Sequence, residues 1–165
     1  MYRVFLGLGS NIGDRIQHLK HALSELGHIA LVKAISPVYQ TEPYGMSSQH
    51  EFLNSAVEIE TSLEPPELLH KLKNLEKKLG RSPHTHMKDR EIDIDILLYN
   101  NYYYEEHLGH TIEVPHPDLT TRKFALAPLN DIASTLMHPV FGETIGTLLQ
   151  QCPDKNKVIK TSLKL

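Results

Sequence analysis

Apolar and polar positions along this chain alternate between a period of two and a period near 3.6. Tyr2 to Leu8 is short and apolar-rich and predicts a strand, punctuated at its end by Gly7, Gly9 and Gly13. Ile16, Leu19, Ala22, Leu23 and Leu26 then recur at helical spacing, with Asn11 or Asp14 placed to cap this helix and Gly27 to stop it. Leu31 to Tyr39 reads as a strand in which Pro37 demands an edge or a bulge. A polar loop with Pro43 and Gly45 runs from Thr41 to His50. From Phe52 to Thr61 the period is two again. Leu53, Ser55, Val57 and Ile59 share one face; Phe52, Asn54, Ala56 and Glu58 share the other. Pro65 and Pro66 open a second helix, carried by Leu68, Leu69, Leu72, Leu75 and Leu79 and ended by Gly80. Ile92 to Tyr99 is the strongest strand signal in the chain.

In order, these elements make β-α-β followed by β-α-β. Two such units predict an α+β fold of the ferredoxin-like kind: a βαββαβ antiparallel sheet with both helices on one face. The rest of the chain forms a C-terminal extension. It holds a turn-rich segment, a hairpin near Tyr102 to Val114 and a short helix near Glu143 to Gln150. No low-complexity stretch interrupts the chain, and residues 1–165 read as a single domain.

Composition narrows the function. The formal net charge is -3, so any phosphate site must come from local placement of Arg and Lys and not from bulk charge. The single cysteine, Cys152, leaves no disulfide within the chain and no cysteine cluster for a metal, which fits a reducing cytoplasm. The chain begins directly with an apolar strand pattern. No signal peptide or membrane-spanning segment is expected.

The chemistry starts with Glu91-Ile92-Asp93-Ile94-Asp95-Ile96. On a strand, Asp93 and Asp95 point to one face, about 7 Å apart at Cα. The isoleucines point to the other and can pack under helices. Aspartate is depleted in strands, so a doublet in so apolar a run calls for a partner cation. Two Mg²⁺ ions bridged by carboxylates are a standard device for phosphoryl transfer. Arg81 and Arg90 flank the polar loop Ser82 to Asp89, and Arg122 and Lys123 follow His116 beyond a turn; beside the doublet this set reads as a triphosphate clamp. Phe52 and Asn54, on one strand face, suit a flat heterocycle: one stacks, the other bonds a ring edge. Gly7-Leu8-Gly9-Ser10-Asn11-Ile12-Gly13 resembles a dinucleotide fingerprint but places its third glycine one position late, and reads as a tight strand-to-helix turn. His84 and His86, lacking a third ligand, read as loop surface.

Several segments together resemble the hydroxymethyldihydropterin pyrophosphokinase family. They are the glycine run just quoted, Tyr39-Gln40-Thr41-Glu42-Pro43, Phe52-Leu53-Asn54-Ser55-Ala56-Val57, Leu75-Glu76 with Gly80-Arg81, Arg90 to Ile96, and Val114-Pro115-His116-Pro117 with Arg122 and Phe124. They stand in family order and cover the chain up to about Ala133. The resemblance implies transfer of pyrophosphate from ATP to the pterin alcohol, with AMP released, as a step of folate synthesis. It implies Arg81, Arg90, Asp93 and Asp95 as the catalytic set, with Asp93 and Asp95 holding two Mg²⁺. It implies a pterin site of Thr41, Pro43, Tyr44, Phe52, Asn54 and Phe124. It implies an ATP site of Glu76, Arg81, Arg90, Ile96, His116 and Arg122. The implied enzyme is a cytoplasmic monomer acting on small molecules, with no nucleic-acid or membrane partner.

The sequence departs from the family where Trp-Gly-Pro usually precedes the second arginine: Met87-Lys88-Asp89 stands there. The tyrosine that often follows the histidine is Pro117. Two other classes share paired aspartates or the same fold. A two-metal nucleotidyl transferase needs a basic nucleic-acid track, which a charge of -3 without a basic stripe does not provide. A ligand-sensing module has no need of Asp93 and Asp95 with converging arginines. AMP formed only when pterin is present separates all three.

Overall fold

The computed structural model describes residues 1–100, 103–106 and 112–165. β1 (Tyr2–Ser10), α1 (Arg15–Leu26), β2 (Leu31–Ile35), β3 (Tyr39–Thr41), β4 (Phe52–Thr61), α2 (Pro65–Lys78) and β5 (Asp93–Tyr99) come first. β6 (Tyr104–Glu106), β7 (Ile112–Val114), α3 (Lys123–Ala133), α4 (Ile145–Gln151) and β8 (Val158–Lys160) follow. The main sheet runs β5-β1-β4-β3-β8, with β2 also paired to β4, and every pairing is antiparallel. β5, β1, β4 and the β2–β3 pair, with α1 and α2, form the predicted βαββαβ core.

Local sequence explains the helices. Asp14 caps α1, its side chain accepting a hydrogen bond from the Gln17 backbone N–H at 3.2 Å. Leu19, Ala22 and Leu26 bury its inner stripe. α2 opens on prolines, ends with Lys77 and Lys78 at its negative pole, and buries Leu68, Leu72 and Leu75. Both helices pack on the face of the sheet formed by Val4, Leu6, Leu8, Leu53, Val57, Ile59, Ile94 and Ile96. The alternation read along β4 and β5 is therefore the alternation of the fold.

The C-terminal extension covers the opposite face. α3 and α4 bury Leu126, Leu129, Ile145 and Leu148 against Phe5, Ala56, Leu97 and Leu98. The pattern did not predict α3, for two physical reasons. Phe124-Ala125-Leu126-Ala127 is apolar all round, so no stripe appears, and Pro128 sits inside the helix where a break is expected.

Two details depart from the sequence reading. The strand expected over Leu31–Tyr39 is split at Ser36–Val38, where Ser36 Oγ accepts a hydrogen bond from the Ala56 backbone N–H at 2.8 Å. Gly7 and Gly9 lie inside β1, and only Gly13, at φ +69°, takes the turn conformation. The tail, whose structure the pattern leaves open, carries a short strand, β8, paired to β3. The hairpin expected near Tyr102 to Val114 exists as β6 paired with β7; Tyr102 and the connecting residues 107–111 lie outside the described residues. Among the described residues no helix is long and apolar enough to cross a membrane.

Candidate active site

Register builds the site. Asp93 lies opposite Gly9 and Asp95 opposite Gly7 on β1. On the far side of β1, Asn54 lies opposite Gly9 and Ala56 opposite Gly7. Two carboxylates thus flank a strip of backbone without side chains, on the face away from α1 and α2. A Cβ on Gly9 would stand 2.7 Å from Asn54 Oδ1, so only glycine leaves that amide in place. Ile92, Ile94 and Ile96 are buried on the helix side, as the strand pattern predicts.

The two aspartates differ sharply. Asp93 is held by Arg81, with Nη1 at 2.7 Å from Oδ1, and by Arg90, with Nη2 at 3.0 Å from Oδ2. Burial pushes its pKa up, but Arg90 and Arg81 outweigh burial and hold it below the usual carboxylate value. The Asp95 carboxylate receives no hydrogen bond or ion pair from the described residues. Burial first, and then the charge of Asp93, push it up to about 6.

Behind the pair stands Glu76 on α2, only 3% exposed. It accepts a hydrogen bond from the Ile94 backbone N–H at 2.6 Å and pairs with Lys73 and Arg81, each at 3.0 Å. Burial raises its pKa; the charge of Lys73 opposes this. Arg81 is therefore caught between two carboxylates and cannot swing away without breaking an ion pair to each. Arg90 lies over the Phe52 ring, 5.2 Å from the centroid, and its backbone N–H donates to Asn11 Oδ1 at 2.7 Å. Nε of Arg90 and Nε of Arg122 are buried donors with no partner among the described residues. His116 accepts from the Asp118 backbone N–H at 3.1 Å through Nδ1, while Arg122 Nη1 stands 3.5 Å from Nε2. Burial, then the Arg122 charge, depress its pKa to about 4.

Three hollows adjoin along this face. Thr41, Tyr44, Phe52, Asn54, Arg90 and Phe124 line the first, with Asp93 at its inner end. Gly7, Gly9, Asp93, Asp95, His116 and Arg122 line the second. Lys73, Asp95, Ile96, His116 and Pro117 line the third. Asn54, Asp93 and Phe124 belong to the first two; Asp95 and His116 belong to the last two. The acidic pair sits where the hollows meet.

The residues singled out from sequence mostly converge here. Thr41 Oγ1 accepts from Asn54 Nδ2 at 2.6 Å, fixing which way the amide points. Tyr44 and Phe124 stand 5.8 Å apart, ring to ring. Phe52 is buried beneath Arg90 and not exposed as the strand pattern suggests. Pro43, Glu76 and Arg81 do not line the three hollows: the Pro43 carbonyl faces Asn156, Glu76 acts through its neighbours, and Arg81 reaches the site through its pair with Asp93. Lys73, Met46 and Glu42 line the site and were not singled out. Lys73 sits one helical turn before Glu76, but Lys71, Lys77 and Lys78 on the same helix hide it. Among the described residues no group of three or more His, Cys, Asp or Glu converges on one point.

Residues 5–134 match the family model described as 7,8-dihydro-6-hydroxymethylpterin-pyrophosphokinase. The chain belongs to this family. A protein of Aquifex aeolicus named 2-amino-4-hydroxy-6-hydroxymethyldihydropteridine pyrophosphokinase is 42% identical over 141 residues, 86% of each chain. A Bacillus subtilis protein of the same name is 43% identical over 130 residues, 78% of this chain and 76% of that one. The solved structure described as Plasmodium falciparum HPPK-DHPS wild type with pterin and p-hydroxybenzoate aligns with 91% of this chain at a TM-score of 0.74 and 18% identity. It shares the fold, and this chain spans only 41% of its length. Within the pyrophosphokinase match lie β1 from Phe5 onward, β2 to β5, Arg81 and Arg90, the acidic pair and α3; α4 and β8 lie beyond it.

Proposed function

We propose that this chain transfers pyrophosphate from ATP to the hydroxymethyl group of 6-hydroxymethyl-7,8-dihydropterin, releasing AMP, in folate synthesis. The observation that carries the reading is the placement of Asp93 and Asp95 at the junction of an aromatic hollow and a basic one, in a pyrophosphokinase-family chain.

The first hollow takes the pterin. Phe52 and Phe124 face its ring, Asn54 and Thr41 present a fixed pair of polar groups to its edge, and Tyr44 closes the rim, with Pro43 holding that loop from behind. The second and third take ATP, with Ile96 and His116 along it and Arg81, Arg90 and Arg122 toward its phosphates. A neutral His116 donates or accepts a hydrogen bond without adding charge.

The donor set fits a divalent cation. Asp95 is a carboxylate with no cation of its own, its pKa pushed up by burial and by Asp93, and Mg²⁺ sites commonly use one or two carboxylates completed by substrate phosphates. Asp93 and Asp95 would hold two Mg²⁺ ions, which supply charge neutralisation on the phosphate oxygens. The chain's own residues supply position. The pterin hydroxyl oxygen bonds to the β-phosphorus in line with the departing bond to AMP, and the hydroxyl proton leaves to solvent. Arg81 and Arg90, locked to Asp93, present fixed donors where charge builds up. The reading takes residues 1–165 as one domain and the enzyme as a cytoplasmic monomer.

The test is direct. Incubated with ATP, Mg²⁺ and hydroxymethyldihydropterin, the protein should release AMP, and should release none when pterin is left out. ADP in place of AMP, or release that ignores pterin, overturns the reading.

A further inference from the structure

The segment between α4 and β8 lies beyond residue 134, where the family match ends, yet it touches both walls of the first hollow. Asp154 accepts a hydrogen bond from the backbone N–H of Lys123, the first residue of α3, at 3.1 Å. Arg122, at the N-cap position of that helix, makes no side-chain cap. Asp154 thus supplies, from across the fold, the acceptor that a capping side chain normally provides. The residue after Lys123 is Phe124, one wall of the hollow.

The other carboxylate oxygen of Asp154 accepts from the Asn156 backbone N–H at 2.9 Å. This turns Asn156 toward the loop after β3, where its Nδ2 donates to the Pro43 carbonyl at 3.3 Å. Next to it, the Glu42 N–H donates to the Lys157 carbonyl at 3.1 Å and the Lys157 N–H donates to Glu42 Oε2 at 2.9 Å. Glu42, Thr41 and Tyr44 form the opposite wall. Asp154 and Asn156 are half-buried while Pro153, Lys155 and Lys157 are exposed, so the segment presents alternate residues inward.

We propose that Asp154 and Asn156 are positioning residues for the pterin substrate: residues 154–157 form a strap that sets the spacing between the Phe124 wall and the Thr41–Tyr44 wall. The proposal rests on the pyrophosphokinase reading of the site. Stacking on an aromatic ring depends steeply on ring separation, and here one wall is the start of a helix and the other a loop. Neither fixes its distance to the other unaided. The strap bonds to both and makes no hydrogen bond to the acidic pair; Phe124 also borders the second hollow, but only the first has two walls tied by the strap, so its loss should be felt mainly by pterin.

The experiment uses the full chain and three variants, Asp154→Ala, Asp154→Asn and Asn156→Ala, with initial rates at varied ATP and varied pterin. Asp154→Ala and Asn156→Ala should raise KM for pterin about fivefold, the effect of one lost cap or hydrogen bond, with KM for ATP and kcat within about twofold. Asp154→Asn retains an acceptor oxygen and should restore most of the pterin affinity. Amide exchange in the ligand-free proteins provides a readout that needs no turnover. Residues 42–46 should exchange faster in both alanine variants and residues 123–126 in Asp154→Ala, with β1 and β5 unchanged. The two KM values moving together, or unchanged exchange at 42–46 in Asn156→Ala, overturns the strap. If the unmodified protein makes no AMP from ATP and pterin, the activity reading fails by itself, and the exchange data still decide the strap. Should Asp154→Ala not fold, Asn156→Ala removes only the Pro43 bond and answers the question.

Discussion

Asp95 carries a charge that its surroundings oppose. Removing that charge relieves a repulsion with Asp93 and costs no hydrogen bond, so Asp95→Ala should leave the melting temperature unchanged or slightly raised. On the metal-holding role proposed for it, its loss should nevertheless lower kcat by about a thousandfold, several kcal/mol in the transition state. AMP release and a thermal melt on the same sample check both halves; near-normal turnover at saturating Mg²⁺ would remove this strand from the chemistry. Phe52 makes the complementary case. Its ring faces the first hollow and lies under Arg90, so Phe52→Ala should weaken pterin binding about tenfold and ATP binding much less. Equal losses in titrations with each ligand would make Phe52 only a support for Arg90. His116 sets a pH dependence. Its folded pKa, about 4, lies below the ordinary 6.5, so the unfolded chain takes up the proton first as pH falls. The stabilisation is fully present above about pH 6.5 and is lost as pH drops toward 4. Discounted for partial exposure, it amounts to about 2 kcal/mol. Urea unfolding of the wild type and of His116→Asn at pH 7 and pH 4.5 should show that difference only in the wild type.

At the scale of elements, the loop Ser82–Asp89 joins the two arginines. A polar segment without apolar periodicity has little to pin it down, and Asp89 adds an anchor that the pattern does not suggest. Its carboxylate accepts from Ser48 Oγ at 2.5 Å and Asn11 Nδ2 at 2.8 Å and pairs with His50 Nδ1 at 2.7 Å. Arg81 Nε donates to Thr85 Oγ1 at 3.1 Å at the other end. Amides of residues 83–87 should therefore exchange rapidly in the free protein and slow when pterin and an ATP analogue are both bound, while the Asn11 and Arg90 amides stay protected throughout. Protection of 83–87 that ligands do not change would make the loop a fixed element. Legibility followed the same line. Strands with clean period-two alternation and helices with one apolar stripe were readable, and so was the acidic pair, because aspartate in an apolar strand is conspicuous. α3 was not readable because it is apolar on every side and contains Pro128. Lys73, Asp89 and Asp154 were not readable because each matters through a partner distant in sequence, at positions 94, 11 and 123.

The molecule as a whole is one sheet with a core on each face. α1 and α2 close one side, α3 and α4 the other, and β1, β4 and β5 contribute side chains to both. Neither core can loosen without uncovering the sheet the other rests on. Leu126 on α3 is fully buried in the second core. Leu126→Ala should cost about 2–5 kcal/mol, and urea unfolding followed by circular dichroism and by tyrosine fluorescence should still give one coincident transition. Two separated transitions would show that the C-terminal helices unfold as an independent unit.

The bare strip of β1 at Gly7 and Gly9 has a consequence for inhibition. A small molecule laid across it touches main-chain atoms, which substitution cannot alter. Any replacement of Gly9 adds a side chain that displaces the Asn54 amide from Thr41, and so harms the natural substrate along with the blocker. Escape from a compound anchored on that strip would have to come from the rim, at Met46 or Met87, where side chains can change without rebuilding the sheet.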